Sequence, residues 1–197
     1  MRVITGSAKG RPLATVKGRE VRPTADRVKE SLFNVIGPRV AGAAFLDLFA
    51  GSGAVGIEAL SRGATSCTFV ELMTPHLKVV EENLKATKLE AGAQLLRRDA
   101  RAAAADLGQR GVTFDLIFVD PPYGQELVPQ SLEAIAKHGL LRPDGWVICE
   151  HHGKDPVPVR VDAPGNAGGL TKFRELVFGE TVLSLYRIAE PAGSAAN

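Results

Sequence analysis

Only two cysteines occur in the 197 residues. Cys67 and Cys149 stand singly inside strand-like apolar segments. Neither a disulfide framework nor metal-ligand spacing can be built from them, and both are expected as reduced core residues. Long hydrophobic runs are missing too. The apolar stretches are strand-length, far short of the roughly 20 residues that cross a bilayer. Met1-Arg2-Val3-Ile4-Thr5-Gly6 leads into no secretory apolar region, so cytoplasmic residence is the expectation. Internal repeats are absent. A strong net charge is absent as well, the formal value being +2. That near-balance conceals an asymmetry: residues 1–40 hold nine Lys/Arg against three acids, a net +6, which leaves −4 for the remainder. A basic front on a mildly acidic body points to a polyanionic partner met by the N-terminus, or else to a solvated basic face. At 45% hydrophobic and 23% charged residues, the composition is that of a globular domain with a real core.

Residues 1–20 read as a β-hairpin. Arg2-Val3-Ile4 and Leu13-Ala14-Thr15-Val16 flank the turn-rich Gly6-Ser7-Ala8-Lys9-Gly10. Arg22-Pro23-Thr24 then enters a helix, with Thr24 as N-cap and Val28, Leu32, Val35 and Ile36 at helical spacing. Gly37-Pro38 ends it. From residue 45 strands and helices alternate. Strands are expected at 45–49, 67–71, 94–96, 114–119 and 146–150, with helices over 54–62, 75–88, an alanine-rich run to 107, and 127–137. This alternation predicts an α/β fold with an open, mostly parallel, Rossmann-like sheet covered on both faces. The tail differs: residues 173–178 and 181–186 around Gly179-Glu180 read as an antiparallel hairpin. The expected organisation is a basic arm over 1–21, one main domain over 22–189 and a disordered tail over 190–197.

Asp47-Leu48-Phe49-Ala50-Gly51-Ser52-Gly53-Ala54-Val55-Gly56 follows the first strand and opens a helix. Glycines there permit a tight turn and let a ligand lie on the backbone. Gly51, Gly53 and Gly56 satisfy G-x-G-x-x-G, and Glu71 falls twenty positions after Gly51, at the end of the second strand. That is the dinucleotide pattern, with an acid for ribose hydroxyls. The loop alone does not separate NAD from S-adenosylmethionine. The late start of the first strand favours the latter, as does Asp47, placed to meet a cationic amino-acid group. Ser52 has no evident histidine partner, which excludes a hydrolase triad. Asp99 ends the third strand beside Ala100. It is expected either to accept from an adenine amino group, with the Ala100 backbone nearby, or to cap the next helix.

Asp120-Pro121-Pro122-Tyr123 directly follows the fourth strand. Each proline fixes its own φ and restrains the residue before it. The result is a rigid acceptor pair, the Asp120 carboxylate and the Pro121 carbonyl, beside the flat Tyr123 ring. A planar base with an exocyclic NH2 group matches that set: two N–H donors to satisfy and a π face to stack. His151-His152 reads as a solvated strand end, since adjacent strand residues point to opposite faces and no further metal-ligand spacing accompanies them.

These residues carry a family resemblance. The chain resembles the RsmD family of bacterial methyltransferases over nearly its whole length. Arg2-Val3-Ile4-Thr5-Gly6 with Lys9-Gly10-Arg11 is similar to the family's basic opening hairpin, although Thr5-Gly6-Ser7 stands where a double glycine is frequent. Residues 22–34, from Arg22-Pro23-Thr24-Ala25-Asp26-Arg27 to Asn34, are similar to its most specific signature. Phe49-Ala50-Gly51-Ser52-Gly53, then Glu58-Ala59-Leu60-Ser61-Arg62-Gly63, resemble its cofactor loop and helix. The Asp120-Pro121-Pro122-Tyr123 stretch resembles its catalytic motif. The resemblance implies S-adenosylmethionine as donor, S-adenosylhomocysteine as product, no metal, and the exocyclic N2 amine of a guanine in 16S rRNA as acceptor. The expected partner is that rRNA, within a small-subunit assembly particle, met by a monomer. Catalytic roles then fall on Asp120, Pro121 and Tyr123. Cofactor contacts fall on Asp47, Gly51, Ser52, Gly53, Glu71, Asp99 and Ala100. Arg2, Lys9, Arg11 and Arg19 are expected at phosphates, and Arg22, Thr24 and Arg27 beside the site. The competing readings are a DNA amino-methyltransferase, for which 197 residues leave little room beyond the catalytic domain, a non-catalytic RNA-binding protein on the same fold, and an NAD oxidoreductase.

Overall fold

Phe45, Leu46, Phe69 and Val70 are at most 1% exposed, and they fill the middle of a parallel sheet. The computed structural model describes residues 1–16, 23–122, 126–163 and 168–189, with backbone alone for 23–26. The tail 190–197, Arg19, Arg22 and Tyr123 lie outside the described residues. Contacts divide the chain into two units, Met1–Ala103 and Ala104–Asn197.

In the first unit β1 (Ala44–Asp47), β2 (Ser66–Glu71) and β3 (Ala93–Arg97) run parallel with β2 central. The register sets Asp47 beside Phe69 and Glu71 beside Arg97, so both acids stand at carboxyl ends of strands. Helix α2 (Ala54–Ser61) packs on β1 and β2, and α3 (Thr74–Thr87) on β2 and β3. All of α2 except Val55 is buried, as its apolar sequence demands. Gly56 permits the close approach, because a Cβ there would come within 2.6 Å of Cys67 Sγ on β2. Helix α1 spans Pro23–Ile36. It starts on the proline, whose missing N–H costs nothing in a first turn. Thr24 therefore lies inside the first turn rather than at the expected cap. A 3-10 turn, Gly37–Val40, continues α1 before the chain enters β1.

The expected N-terminal hairpin is not a ladder. Arg2 and Pro12 form a single antiparallel bridge, closed by Val3 N–H to Arg11 O at 3.0 Å and Leu13 N–H to Met1 O at 2.9 Å. Pro12 has no N–H to continue it. The segment gains its order by lying on α2 instead. Ser7 N–H donates to Ser61 O at 2.8 Å, Ala8 N–H to Ser61 Oγ at 3.0 Å, and Ser61 Oγ–H to Thr5 O at 2.6 Å. Gly6 has φ +87°, and a Cβ there would overlap the Ser61 carbonyl, so the packing requires glycine at this position.

The division between units falls within α4 (Ala100–Gln109). The second unit holds β4 (Phe114–Val119), α5 (Leu127–Lys137), β5 (Leu141–His152), β6 (Arg160–Val161), β7 (Leu170–Phe178) and β8 (Thr181–Ile188). Strands β4 and β5 are parallel, β8 is antiparallel to β5, β7 to β8 and β6 to β7. The architecture is thus mixed α/β: parallel strands followed by the antiparallel terminal hairpin that the sequence predicts. Strand β5 begins at Leu141, five residues before the expected Trp146, because an irregularity over residues 142–145 breaks its periodicity. Phe114 pairs with Leu141 while Leu116 already pairs with Trp146. Pro143 and a buried Gly145 sit in that bulge.

Candidate active site

In the first unit the glycine turn is built from β1 into α2. Gly51 and Gly53 have φ of +55° and +76°, which disfavours any side chain there. Three polar groups hold the turn. Glu71 Oε2 accepts from Gly51 N–H at 3.0 Å, Asp47 Oδ2 from Gly56 N–H at 3.2 Å, and Asn83 Nδ2 donates to Ser52 O at 2.9 Å. The second Glu71 oxygen accepts from Met73 N–H at 2.8 Å, and His76 Nδ1 stands 3.5 Å from the first. Glu71 thus joins the expected glycine turn to a loop where Leu72 and Met73 are 59% and 51% exposed, an open apolar surface beside an acid. Asp47 is 2% exposed. Buried at the strand end, it fixes the start of α2. Its charge also helps raise the pKa of the Cys67 thiol, burial being the larger cause.

Asp99 caps the next helix, one of its two expected roles. Its Oδ1 accepts from Arg101 N–H at 3.0 Å and Ala102 N–H at 3.3 Å, an N-cap of α4, with Ala100 the first helical residue. The basic residues fall into different places. Arg2, Lys9 and Arg27 are exposed. Arg11 donates from Nη1 to Ala86 O at 2.6 Å, near the carboxyl end of α3, so part of its guanidinium is engaged within the fold. Thr24 is described by backbone only, while Arg19 and Arg22 lie outside the described residues.

In the second unit Asp120 directly follows β4, half-buried, and is followed by a buried Pro121 and an exposed Pro122. Pro121 and Pro122 line a cavity of about 150 Å³ together with Glu126, Glu150, His151 and Asp155. His151 corrects the expectation of a solvated strand end. It is 4% exposed, with Nε2 2.9 Å from Ser184 Oγ on β8 and Nδ1 2.9 Å from His152 O. The neighbouring antiparallel strand covers it, a pairing that no local pattern encodes. Among the described residues no group of three or more His, Cys, Asp or Glu is arranged to hold a metal ion.

A family model described as conserved hypothetical protein 95 matches residues 1–187. The chain belongs to this family, the RsmD methyltransferases. It is 42% identical to YlbH of Bacillus subtilis over 187 residues, 95% of this chain and 98% of the relative. To the Escherichia coli protein named ribosomal RNA small subunit methyltransferase D it is 33% identical, across 95% of this chain and 89% of that one. The solved structure of the E. coli methyltransferase yhhF superposes with a TM-score of 0.81 at 33% identity, covering 95% and 97% of the two chains.

Within this RsmD-family chain, two buried polar residues have no role in the sequence reading: Asn83, which holds the turn, and Glu58, which holds the N-terminal segment. Asn83 is 2% exposed and Glu58 is fully buried. Asn83 occupies a core position on α3 between Val80 and Thr87, and Glu58 interrupts an otherwise apolar helix. A polar residue on a buried face is the signal for both, since such a group stays buried only when it is hydrogen-bonded.

Proposed function

We propose that this chain transfers a methyl group from S-adenosylmethionine to the exocyclic N2 amine of a guanine in 16S rRNA. The observation that carries the reading is the acceptor-rich end of β4. Asp120 and Pro121 stand there, and the adjoining cavity includes Glu126, Glu150 and Asp155 in its wall. Guanine presents donors at N1–H and at both N2 hydrogens, a row that matches carboxylates and carbonyls. Adenine offers an acceptor at N1, which those groups would repel. The name of the E. coli relative supports rRNA as the substrate class.

The first unit fits the donor. Glu71, which accepts from Gly51 and Met73 N–H groups at the end of β2, takes the ribose diol in this reading. Leu72 and Met73 supply apolar surface beside it. The tight turn of Gly51, Ser52 and Gly53 offers its backbone to the donor, and Asp99, besides capping α4 through Oδ1, takes the adenine with Ala100. The sulfonium, when bound, supplies an electrophilic methyl group. Asp120 and the Pro121 carbonyl then hold the two N2 hydrogens and stabilise the positive charge that grows on nitrogen as the N–CH3 bond forms and the S–CH3 bond breaks; the thioether S-adenosylhomocysteine leaves, and one N2 proton passes to solvent. Tyr123 stacks on the base and aligns it. The base must leave its stack to arrive there. Arg2, Lys9, Arg11 and Arg19 contact phosphates, and Arg22, Thr24 and Arg27 border the site, which assigns residues 1–21 to RNA contact. The substrate is an assembling small subunit, and the chain acts as a monomer without a metal.

The test is methyl transfer from labelled S-adenosylmethionine to small-subunit rRNA taken from cells lacking this gene, followed by mass mapping of nucleosides. N2-methylguanosine at one position is expected. Asp120→Ala is expected to lower turnover on the order of 100-fold or more while S-adenosylhomocysteine still binds. Methylation of DNA adenine instead, or full turnover by Asp120→Ala, overturns the reading.

A further inference from the structure

Two buried polar groups tie residues 1–16 to the helices that flank the glycine turn. Glu58 on α2 accepts from Ile4 N–H at 2.8 Å and Thr5 N–H at 3.0 Å. Asn83 on α3 goes further, because it bonds the segment and the turn at once. Its Oδ1 accepts from Ala14 N–H at 2.7 Å, and its Nδ2 donates to Ala14 O at 2.9 Å and to Ser52 O at 2.9 Å. Both amide hydrogens are engaged, and at 2% exposure no water competes for them. Ser52 lies between two glycines of positive φ, and two bonds fix the peptide that carries its carbonyl: Asn83 Nδ2 to Ser52 O, and Gly53 N–H to Ala50 O at 2.7 Å. Arg2 and Lys9, on the same segment, are exposed.

We propose that Asn83 is a positioning residue that couples RNA contact by the N-terminal segment to donor binding on the glycine turn, an inference that rests on the rRNA methyl transfer proposed above. RNA that holds Arg2 and Lys9 keeps the N-terminal segment, and with it Ala14, seated. Seated Ala14 keeps Asn83 in its three-bond arrangement, and Asn83 keeps the Ser52 carbonyl turned toward α3. The turn is then ordered before the donor arrives, and the donor binds with a smaller ordering cost. Linkage makes the effect reciprocal: donor bound to the turn tightens RNA binding by the same factor.

Calorimetric titration of the full chain with S-adenosylhomocysteine, alone and saturated with unmethylated small-subunit rRNA, tests this. The rRNA is expected to tighten binding about fivefold or more. Asn83→Ala, and Ala14→Pro, which removes the N–H that Asn83 accepts, are each expected to bring that ratio to about one. A merely structural role would weaken binding in both conditions and leave the ratio intact. Hydrogen exchange on the unaltered chain gives a second readout independent of how the variants fold. With rRNA bound and no donor present, the amides of residues 51–54 are expected to exchange more slowly. A ratio near one in the unaltered chain, a preserved ratio in either folded variant, or unchanged exchange at the turn overturns the coupling. Absence of any rRNA methylation sinks the proposed function instead, whereas methylation with a ratio of one sinks only the coupling.

Discussion

Replacing Glu58 by alanine removes the acceptor at the centre of a buried cluster of donors. The carboxylate is fully buried, and it accepts from Ile4 N–H, Thr5 N–H and Arg62 Nε at 2.8, 3.0 and 2.8 Å. Lys29 Nζ stands 3.4 Å away, on a side chain 4% exposed, and also donates to Arg2 O at 2.8 Å. In Glu58→Ala, two cations and two backbone donors face a methyl group. Breaking a buried pair from one side costs about 3–5 kcal/mol, and each buried donor left without an acceptor about 1–3 kcal/mol. These overlap, since water entering the space would serve several donors together, so the expected net loss is about 3–5 kcal/mol. Against a total stability of about 5–15 kcal/mol, that is a large fraction. Urea unfolding followed by circular dichroism measures it as a lower midpoint. Glu58→Gln keeps the shape and one acceptor oxygen and is expected to lose less than Glu58→Ala. Combined with Lys29→Met, Glu58→Ala is expected to be non-additive by about 0.5–3 kcal/mol. A loss below about 1 kcal/mol, or strict additivity with Lys29→Met, refutes the reasoning that this carboxylate holds the N-terminal segment to α2.

Two other outcomes follow from the same bonds and burials. Glu71→Ala is expected to weaken S-adenosylhomocysteine binding by about tenfold or more, because charged hydrogen bonds contribute about 1.5–3 kcal/mol; an unchanged dissociation constant by calorimetry argues against a ribose role. Burial raises the thiol pKa of Cys67 and Cys149 and the phenol pKa of Tyr186, whose hydroxyl donates to Pro158 O at 2.7 Å. In the unfolded chain the thiols ionise near pH 8.5 and the phenol near pH 10, whereas the folded groups stay neutral. The stability these groups supply is therefore complete below about pH 8.5 and is lost as pH rises beyond it. A urea midpoint that stays flat or rises between about pH 8 and pH 10.5 contradicts that sign.

The turn and the acceptor motif were legible because their chemistry is local. Gly51 and Gly53 adopt the positive φ that their residue type announces, and β4 and α5 begin and end where the hydrophobic pattern places them. The irregular start of β5 was hidden because its bulge carries Pro143 and Gly145, which read as loop. His151 read as solvated because nothing near it in sequence signals that β8 lies alongside. Asp99 admitted two readings from sequence, and the backbone donors of α4 meet the capping one at its Oδ1.

The sequence by itself determined the fold class, the glycine turn, the strand-end acids and the Asp-Pro-Pro-Tyr stretch, since each depends on neighbours within one or two turns of chain. Tertiary structure alone decided that Glu58 and Asn83 are structural centres, with bonds that reach 53 to 69 residues away. Long-range hydrogen bonds join groups whose separation in sequence is arbitrary. Only the folded backbone brings Ala14 and Ser52 each within 3 Å of Asn83.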